Sequence, residues 1–537
     1  MNINIMRVPD AVFIETDHSW EAMNSRHNEI WHASQVEVCT KLIESNYMVN
    51  MSIQLAATEA VHRLQIRWKQ NINSHIQLLS DHWERAYGDL AWQGIQPERV
   101  FPWYGLIHDG QSTYGFGVKT GARAMCHWYV DREGITLVAD VTCGNEGVQL
   151  KNRVLEVATV IQLQGTERMS SYETASQLCR LLCDKPVMPA FPVYGGNNWY
   201  YSYGESTQEQ IIEDSIFISR LAKDNPNRPF MVIDDCWQLG ACGWGNGGPW
   251  IGNHDFPNME ELAARMKQEG VRPGIWLRPL LTQEKVPESW VRYTKEDGRY
   301  LDASHPGVLD YIRTFTSRIH DWGYELIKHD FSTFDLFGQW GNVMRSRVNG
   351  IARPFADNSK TNAEIVLDLY QTIAEAAGDS LVIGCNTIGH LAAGQFAIQR
   401  TGDDTSGRSW ERTRRMGINT LAFRMTQHGT FFSHDADCVG ITADVPWRLN
   451  KQWLDVLSRS GTPLFVSVSP KEATLEQIEA LTIAFEKASK PIETAEPLDW
   501  MYNSCPAEWL IEGEKVVYDW NGRDEMPLSE QERGWWQ

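Results

Sequence analysis

Four segments of this sequence end a short apolar run in one or two carboxylates, and two of them add a cation. FMVIDD ends in Asp234 and Asp235, YELIKHD carries Lys328 and Asp330, FAIQRTGDD carries Arg400 and Asp404, and GTFFSHD ends in Asp435. Two further runs, VYGGNNW and SLVIGC, place Asn198, Trp199 and Cys385 at equivalent positions. One Asp at a strand end is ordinarily the N-cap of the next helix. Four such ends together with Lys328 and Arg400 exceed what capping needs. Lys328 and Asp330 are two residues apart, so on a strand both project to the same side. An ammonium beside Asp330 favours its carboxylate, the state a nucleophile requires. Arg400, Gly402 and Asp404 share a side if their run stays extended. Asp404 then faces another carboxylate, a setting that tends to keep one group protonated near neutral pH. One ionised and one protonated carboxyl is the arrangement that cleaves glycosidic bonds. The competing reading is a salt-bridge network that merely closes one end of the fold.

Such a constellation works only if the runs are parallel strands whose ends converge. Eight strand-like runs occur, at 193–199, 230–235, 272–279, 324–330, 380–385, 396–404, 429–435 and 462–469. Amphipathic stretches near 207–224, 258–269, 306–322 and 361–377 separate several of them. Eight βα units over about 280 residues predict an α/β fold, a central (β/α)8 TIM barrel over 191–485 with its site at the C-terminal strand ends. Residues 1–190 read differently. Alternating runs such as HRLQIRW, GITLVADVTC and RVLEVATVIQL predict an N-terminal antiparallel β-sandwich. A helix over SSYETASQLCRLLCD closes it, followed by the Pro-rich linker KPVMPAFP. PAEWLIEG and EKVVYDWNG suggest a small C-terminal β-domain within 486–537.

Composition narrows the function. The 537 residues hold 49 Lys and Arg against 69 Asp and Glu, a net charge of −20. That surface repels phosphate backbones and anionic membranes, which argues against nucleic-acid and membrane partners. The 23 Trp exceed the needs of packing, and some are expected to line a site where flat rings meet sugar faces. Ten Cys lack paired metal-like spacing, and no His-x-His strand end is present, so neither metal nor organic cofactor is expected. The N-terminus has no apolar core of signal-peptide length and no run spans a membrane. A cytoplasmic location with free thiols is the expectation, although a trimmed secreted chain would read the same.

FMVIDDCWQ resembles the Asp-Asp strand of the melibiase-type α-galactosidases, glycoside hydrolase families 27 and 36, and IKHDF resembles the family 36 Lys-x-Asp nucleophile strand. IGCNTIGHLAAGQFAIQRTGDDT is similar to a Gly-Cys, long-loop, Arg-x-Gly-x-Asp-Thr pattern of one family 36 branch. SHDADC resembles the Asn-Asp-Pro-Asp strand, and ERAYGDLAW a stretch of the family's β-sandwich. The five occur in order over roughly residues 84–470. The resemblance implies Asp330 as nucleophile and Asp404, four residues after Arg400, as general acid and base, with Asp403 the competing choice. It implies Asp234, Asp235, Lys328 and Arg400 as ligands of sugar hydroxyls, and Trp199, Trp276 and, less directly, Trp237 as apolar platforms. Asn198 and Cys385 complete the substrate-binding set. Arg278, where many members carry an acid, and His329, where an apolar residue is common, depart from the pattern; His390 reads as structural.

Together these features predict a retaining, exo-acting hydrolase of terminal α-galactosides, acting on an oligosaccharide or glycoconjugate, with a homo-oligomeric state left open. The alternatives are an α-N-acetylgalactosaminidase or another α-glycosidase of the same clan, and, in a different class, an inactive sugar-binding protein.

Overall fold

The computed structural model describes residues 3–26, 29–45, 48–240 and 246–521. Alternation in the first third becomes antiparallel sheet. In Val61–Lys69, Leu64, Ile66 and Trp68 are buried while Arg63, Gln65 and Arg67 occupy the other face, as the two-residue period of a strand requires. This strand pairs with Ala11–Thr16 and Gly134–Asp140 in a six-stranded sheet. A second antiparallel sheet has eight strands. Phe116 of the eight-stranded sheet meets Trp128 of the six-stranded one, ring centroids 5.0 Å apart, and Trp128 stacks on Trp68 at 6.2 Å. The two inner faces therefore share one apolar core. The helix Ser171–Leu182 begins with a full capping box between Ser170 and Glu173. Its Leu178 and Leu182 fill the space over Gly115 and Gly117 of the eight-stranded sheet.

The eight apolar runs and one further segment form a parallel sheet of nine strands: β1 (Tyr194–Asn197), β2 (Phe230–Ile233), β3 (Arg272–Leu277), β4 (Leu326–His329), β5 (Leu381–Gly384), β6 (Ile398–Arg400), β7 (Ser433–Asp435), β8 (Cys438–Ile441) and β9 (Leu464–Val468). Their order is β7-β6-β5-β4-β3-β2-β1-β9-β8. Helices Gln208–Leu221, Met259–Gln268, Pro306–Asp321 and Asn362–Ala376 lie where amphipathic periodicity places them. Strands covered on both faces read as continuous apolar runs, which is why FMVI and LVIG show no alternation.

Two features depart from the sequence reading. The seventh run ends in one strand at Asp435, and a strand the sequence reading did not mark, Cys438–Ile441, follows after Ala436 and Asp437, where Asp437 takes φ 71°. The two edge strands of the sheet, β7 and β8, are thus consecutive lengths of chain. A three-stranded antiparallel sheet from Leu281 to Leu301 also follows β3. At the C-terminal end, Glu496–Pro497, Glu508–Ile511 and Glu514–Val517 form another three-stranded sheet; residues 522–537 of the expected β-domain lie outside the described residues. No helix among the described residues is long and apolar enough to cross a membrane.

The connection after the first antiparallel strands bears directly on the site. Ala86 lies beside the end of β6: its N–H donates to Thr401 O at 2.9 Å, and its carbonyl accepts from Asp403 N–H at 3.1 Å. Gly402, between the two bonded residues, packs against Met416 and Thr420, and a Cβ there would sit 2.1 Å from Met416 O. Gly402→Ala should therefore lower stability by about 1–3 kcal/mol through overpacking. Denaturant unfolding followed by fluorescence would read the loss, and a variant as stable as wild type would show that this junction is not tightly packed.

Candidate active site

The polar ends of the parallel strands are built around two centres. At the first, Asp330 follows β4 and is buried. Its Oδ2 accepts the indole N–H of Trp276 at 3.2 Å and its Oδ1 accepts the Phe331 N–H at 2.8 Å. Phe331 adopts φ 62°, a left-handed conformation that costs a non-glycine residue energy and is common at functional turns. Arg278 holds this turn. Its guanidinium lies 4.2 Å over the Phe331 ring and makes a two-pronged pair with Asp335 at 2.8 and 3.0 Å. The departure at Arg278 is thus answered within the turn that follows Asp330. His329, the other departure, faces away and packs buried against Tyr370 and Phe396.

Lys328 corrects the spacing argument. Its ammonium closes on Asp234 Oδ2 at 2.7 Å rather than on Asp330, and Asn197 donates to the same oxygen at 2.7 Å. The charges of Asp330 and Asp404 still reach Lys328 and, after that of Asp234, favour its cationic form against burial. Asp235 differs from its neighbour. Burial pushes its carboxyl up to about 7, reinforced by the Asp234 charge, although Gln238 and the Cys236 N–H donate to it at 2.8 and 2.6 Å.

The second centre surrounds Arg400, buried at the end of β6. Its guanidinium lies 3.3 Å from Asp404, 3.1 Å from Asp437, 3.9 Å from Asp435 and 3.3 Å from the Cys385 sulfur. The Asp404 side chain is 39% exposed, whereas Asp403 turns inward to Arg85 at 2.7 Å and Arg412 at 3.0 Å. The sequence expectation of a protonated Asp404 is not met. Burial raises its pKa, but Arg400 outweighs that, joined by Arg85, Lys328 and Arg412, and the carboxylate is held below its ordinary range. Burial raises two carboxyls of this centre, Asp403 against the charges of Arg85 and Arg412, and Asp435, pushed up to about 6 against the opposing charge of Arg400.

Several sequence-derived assignments change. Asn198 is fully engaged, accepting the Asp234 N–H at 2.8 Å and donating to Ser202 and Ser206, so it positions the strand end and has no amide left for a sugar. Trp237 is 0% exposed, with its N–H on the Trp276 carbonyl at 2.9 Å and its ring 6.1 Å from that of Trp250, and is therefore a packing residue. Trp276, 1% exposed, contributes an N–H to Asp330 rather than an open ring face. Trp199 is half-buried with Tyr203 at 5.5 Å and retains an accessible ring. Cys385 is buried between Arg400 and Arg85. His390 stacks on Trp103 at 4.7 Å in the structural role read from sequence.

Residues that strand-end reasoning missed include Arg85, whose guanidinium also lies 4.0 Å from Asp404 and 5.4 Å over the Trp340 ring. Asp437 and Tyr200 were missed too; the Tyr200 hydroxyl donates to Asp437, which also accepts the Thr405 N–H at 2.7 Å. ERAYGDLAW did stand out as a segment, but nothing local says that its arginine crosses to another sheet. Among the described residues, no cluster of three or more His, Cys, Asp or Glu is arranged to hold a metal ion.

Asp235 yields a test with a definite sign. Its folded pKa of about 7 lies above the ordinary 3.8, so its favourable contribution to stability is present below about 4 and is lost as pH rises toward about 7. Asp235→Asn keeps the acceptor for Gln238 and removes the titration. The melting temperature of the variant relative to wild type should be higher at pH 8 than at pH 5. A pH-independent difference would show that Asp235 is ionised throughout.

No protein-family model matches the sequence. Solved structures do resemble it. An α-galactosidase from Thermus thermophilus, in complex with p-nitrophenyl α-D-galactopyranoside, superposes with a TM-score of 0.60 at 15% identity, covering 90% of this chain and 97% of its own. The GH36 α-galactosidase AgaA from Geobacillus stearothermophilus gives 0.62 at 12% identity, over 93% of this chain and 79% of its own. An α-galactosidase from Lactobacillus brevis gives 0.58 at 12%, over 91% and 69%. At these identities the likeness speaks to architecture. The chain has the fold of the glycoside hydrolase family 36 α-galactosidases.

Proposed function

We propose that this protein is a retaining glycoside hydrolase that releases terminal α-linked galactose through a covalent glycosyl-enzyme. The observation that carries the reading is one pair of carboxylates. Asp330 is fixed by two N–H donors, Asp404 is reachable by solvent, and both lie in the field of Lys328. The fold of the α-galactosidases and the occupants of their structures, p-nitrophenyl α-galactoside and stachyose, support galactose as the sugar.

In this mechanism the Asp330 carboxylate attacks the anomeric carbon while the bond to the leaving oxygen breaks. Asp404 supplies that oxygen with a proton, then takes one from the water that releases the sugar. The resting anion of Asp404 is compatible with this role. A sugar covering its exposed side chain removes water from the carboxylate, and desolvation favours the protonated form. Asp234, Asp235 and Lys328 form a floor of hydrogen-bonding groups for the outer hydroxyls, with Trp199 as the accessible ring at the mouth. The nine parallel strands are read as a closed (β/α)8 barrel over 191–485, since β7 and β8 at the two edges are joined by only two residues. A β-sandwich over 1–190 and a small β-domain from 486 complete the layout. The nine cysteines among the described residues are free thiols, which favours a reducing, cytoplasmic setting; Cys242 lies outside the described residues.

Asp330→Asn should cut turnover of p-nitrophenyl α-galactoside by about a thousandfold or more, since no other nucleophile replaces it. Azide should partly restore turnover and give an azido-sugar of inverted configuration. Retention of more than about a tenth of the wild-type rate would exclude Asp330, because loss of a true nucleophile costs orders of magnitude. Asp404→Ala should impair oligosaccharides with poor leaving groups far more than the nitrophenyl substrate, which leaves without a proton. Equal damage to both would move the acid role to Asp403 or Asp435. A parallel panel of nitrophenyl α- and β-glycosides, including N-acetyl-α-galactosaminide, reads the sugar preference.

A further inference from the structure

A cavity of about 1520 Å³ lies away from the Asp330 and Asp404 centres, between the outer face of the six-stranded sheet and residues 341–346. The strand alternation that buries Leu64, Ile66 and Trp68 inward turns Gln65 and Arg67 outward into this space. Cross-strand register sets Phe13 opposite Gln65, Thr136 opposite Arg67, and Tyr129 opposite Thr136. Trp83 and Asn342 contribute to the other wall.

We propose that this cavity is a second saccharide-binding site, separate from the candidate active site, that takes a neutral oligosaccharide of several rings. Three observations support it. The first is charge. Among the lining residues, Arg67, Arg99 and Arg345 nearly balance Asp81, Asp89, Glu98 and Asp131, in a chain of net charge −20. A balanced wall suits neither an anion nor a cation but does suit hydroxyl groups, which both donate and accept. The second is order. Arg67 is clamped to Asp131 at 2.7 and 2.8 Å, and Arg99 to Gln93 and Ser80, both at 3.1 Å. Planar polar groups already fixed in place lose little freedom when a ligand arrives. Between them lie the rings of Phe13 and Tyr129, flat apolar surfaces of the kind that meet the C–H faces of sugars.

The third is unmet hydrogen bonding. Asn342 Oδ1 is buried at the wall without a partner. Behind the lining rings, His127 is 1% exposed, with Trp83 at 5.8 Å and Tyr129 at 5.2 Å, and both ring nitrogens lack partners. Buried polar atoms without partners are rare in folded proteins, because each forfeits its hydration. Of the two, Asn342 belongs to the cavity wall and His127 lies behind it. The volume also exceeds the roughly 300–1,000 Å³ of a typical small-molecule site, which favours a chain of sugars over a single ring. Trp83, in this wall, lies two residues before Arg85, which reaches the Asp404 centre. One continuous stretch of chain thus borders both sites.

The choice of ligand class rests on the proposed function, and the experiment separates the two. Stachyose is titrated calorimetrically into the full-length protein with its strand-end site filled by excess 1-deoxygalactonojirimycin, whose own binding is measured first. Stachyose should still bind the inhibitor-filled protein. Tyr129→Ala and Asn342→Ala should each weaken that binding by about tenfold, the loss expected for one stacking contact or hydrogen bond. Both variants should hydrolyse p-nitrophenyl α-galactoside as wild type does. No stachyose binding to inhibitor-filled wild type, or equal binding by both variants, overturns the proposal. So does a change of oligomeric state on Tyr129→Ala in sedimentation, which would identify a second copy as the occupant. Failure of the inhibitor itself to bind counts against the proposed function, while loss of stachyose binding in the two variants still locates the saccharide in the cavity.

Discussion

The buried guanidinium of Arg400 sets the terms for much of the molecule. A cation with almost no contact with water is tolerable only among compensating groups, and breaking such a pair costs about 3–5 kcal/mol. Asp404, Asp435 and Asp437 supply the negative charge, and each comes with a structural consequence. Asp437 reaches Arg400 because the chain turns after Asp435, between the two edge strands β7 and β8. Asp404 reaches it from four residues on, after the chain leaves β6 and bends at Thr401 and Asp403. Asp403, one residue earlier, faces the opposite way. It finds Arg85 and Arg412 there, so the first third of the chain is tied to the same electrostatic centre.

The carboxylates are also fixed by the backbone that follows them. Cys236, Phe331 and Asp437 all have positive φ, although none is glycine. Each turns its own N–H back on a nearby acid: Cys236 on Asp235 at 2.6 Å, Phe331 on Asp330 at 2.8 Å and Asp437 on Asp435 at 3.0 Å. A left-handed non-glycine residue costs about 1–3 kcal/mol. Three uses of the same device at three strand ends show what that strain achieves, since a carboxylate locked by a backbone donor cannot swing toward whichever cation lies nearest. The opposite protonation tendencies of Asp404, Asp235 and Asp435 follow from the same crowding. At Asp404 the converging cations outweigh burial, whereas at Asp235 and Asp435 burial outweighs the nearby donors and cations.

The strands and helices that carry this site were legible in the sequence. Apolar runs such as FMVI and LVIG, repeated between helical stretches, suit interior parallel strands, and the capping signal at Ser170 starts a helix where the periodicity says it should. The location of the site followed from the same reading, because polar residues ending apolar runs must gather wherever parallel strands end. The sequence ranked Asp404 before Asp403 on the premise of an extended chain; the chain bends at Thr401 and Asp403, and the two carboxyls diverge all the same. The two left-handed turns at Cys236 and Phe331 gave no such sign, for neither residue type announces the conformation.

What the sequence could not determine was the partner of each charge. Lys328 is two residues from Asp330 yet pairs with Asp234 on β2, a strand separated from β4 by β3. Asn198 and Trp237 stand among site residues in sequence but are consumed by Asp234, Ser206 and the Trp276 carbonyl. Arg85 belongs by sequence to the antiparallel region and by position to the Asp404 centre. Period and hydrophobicity act over neighbouring residues, so the sequence by itself determined which segments are strands and which ends are polar. Ion pairing depends on distances of a few ångströms between residues far apart in the chain. Strand order and the docking of residues 84–87 on β6 therefore decided which acid is anchored, which is free, and which remains open to solvent.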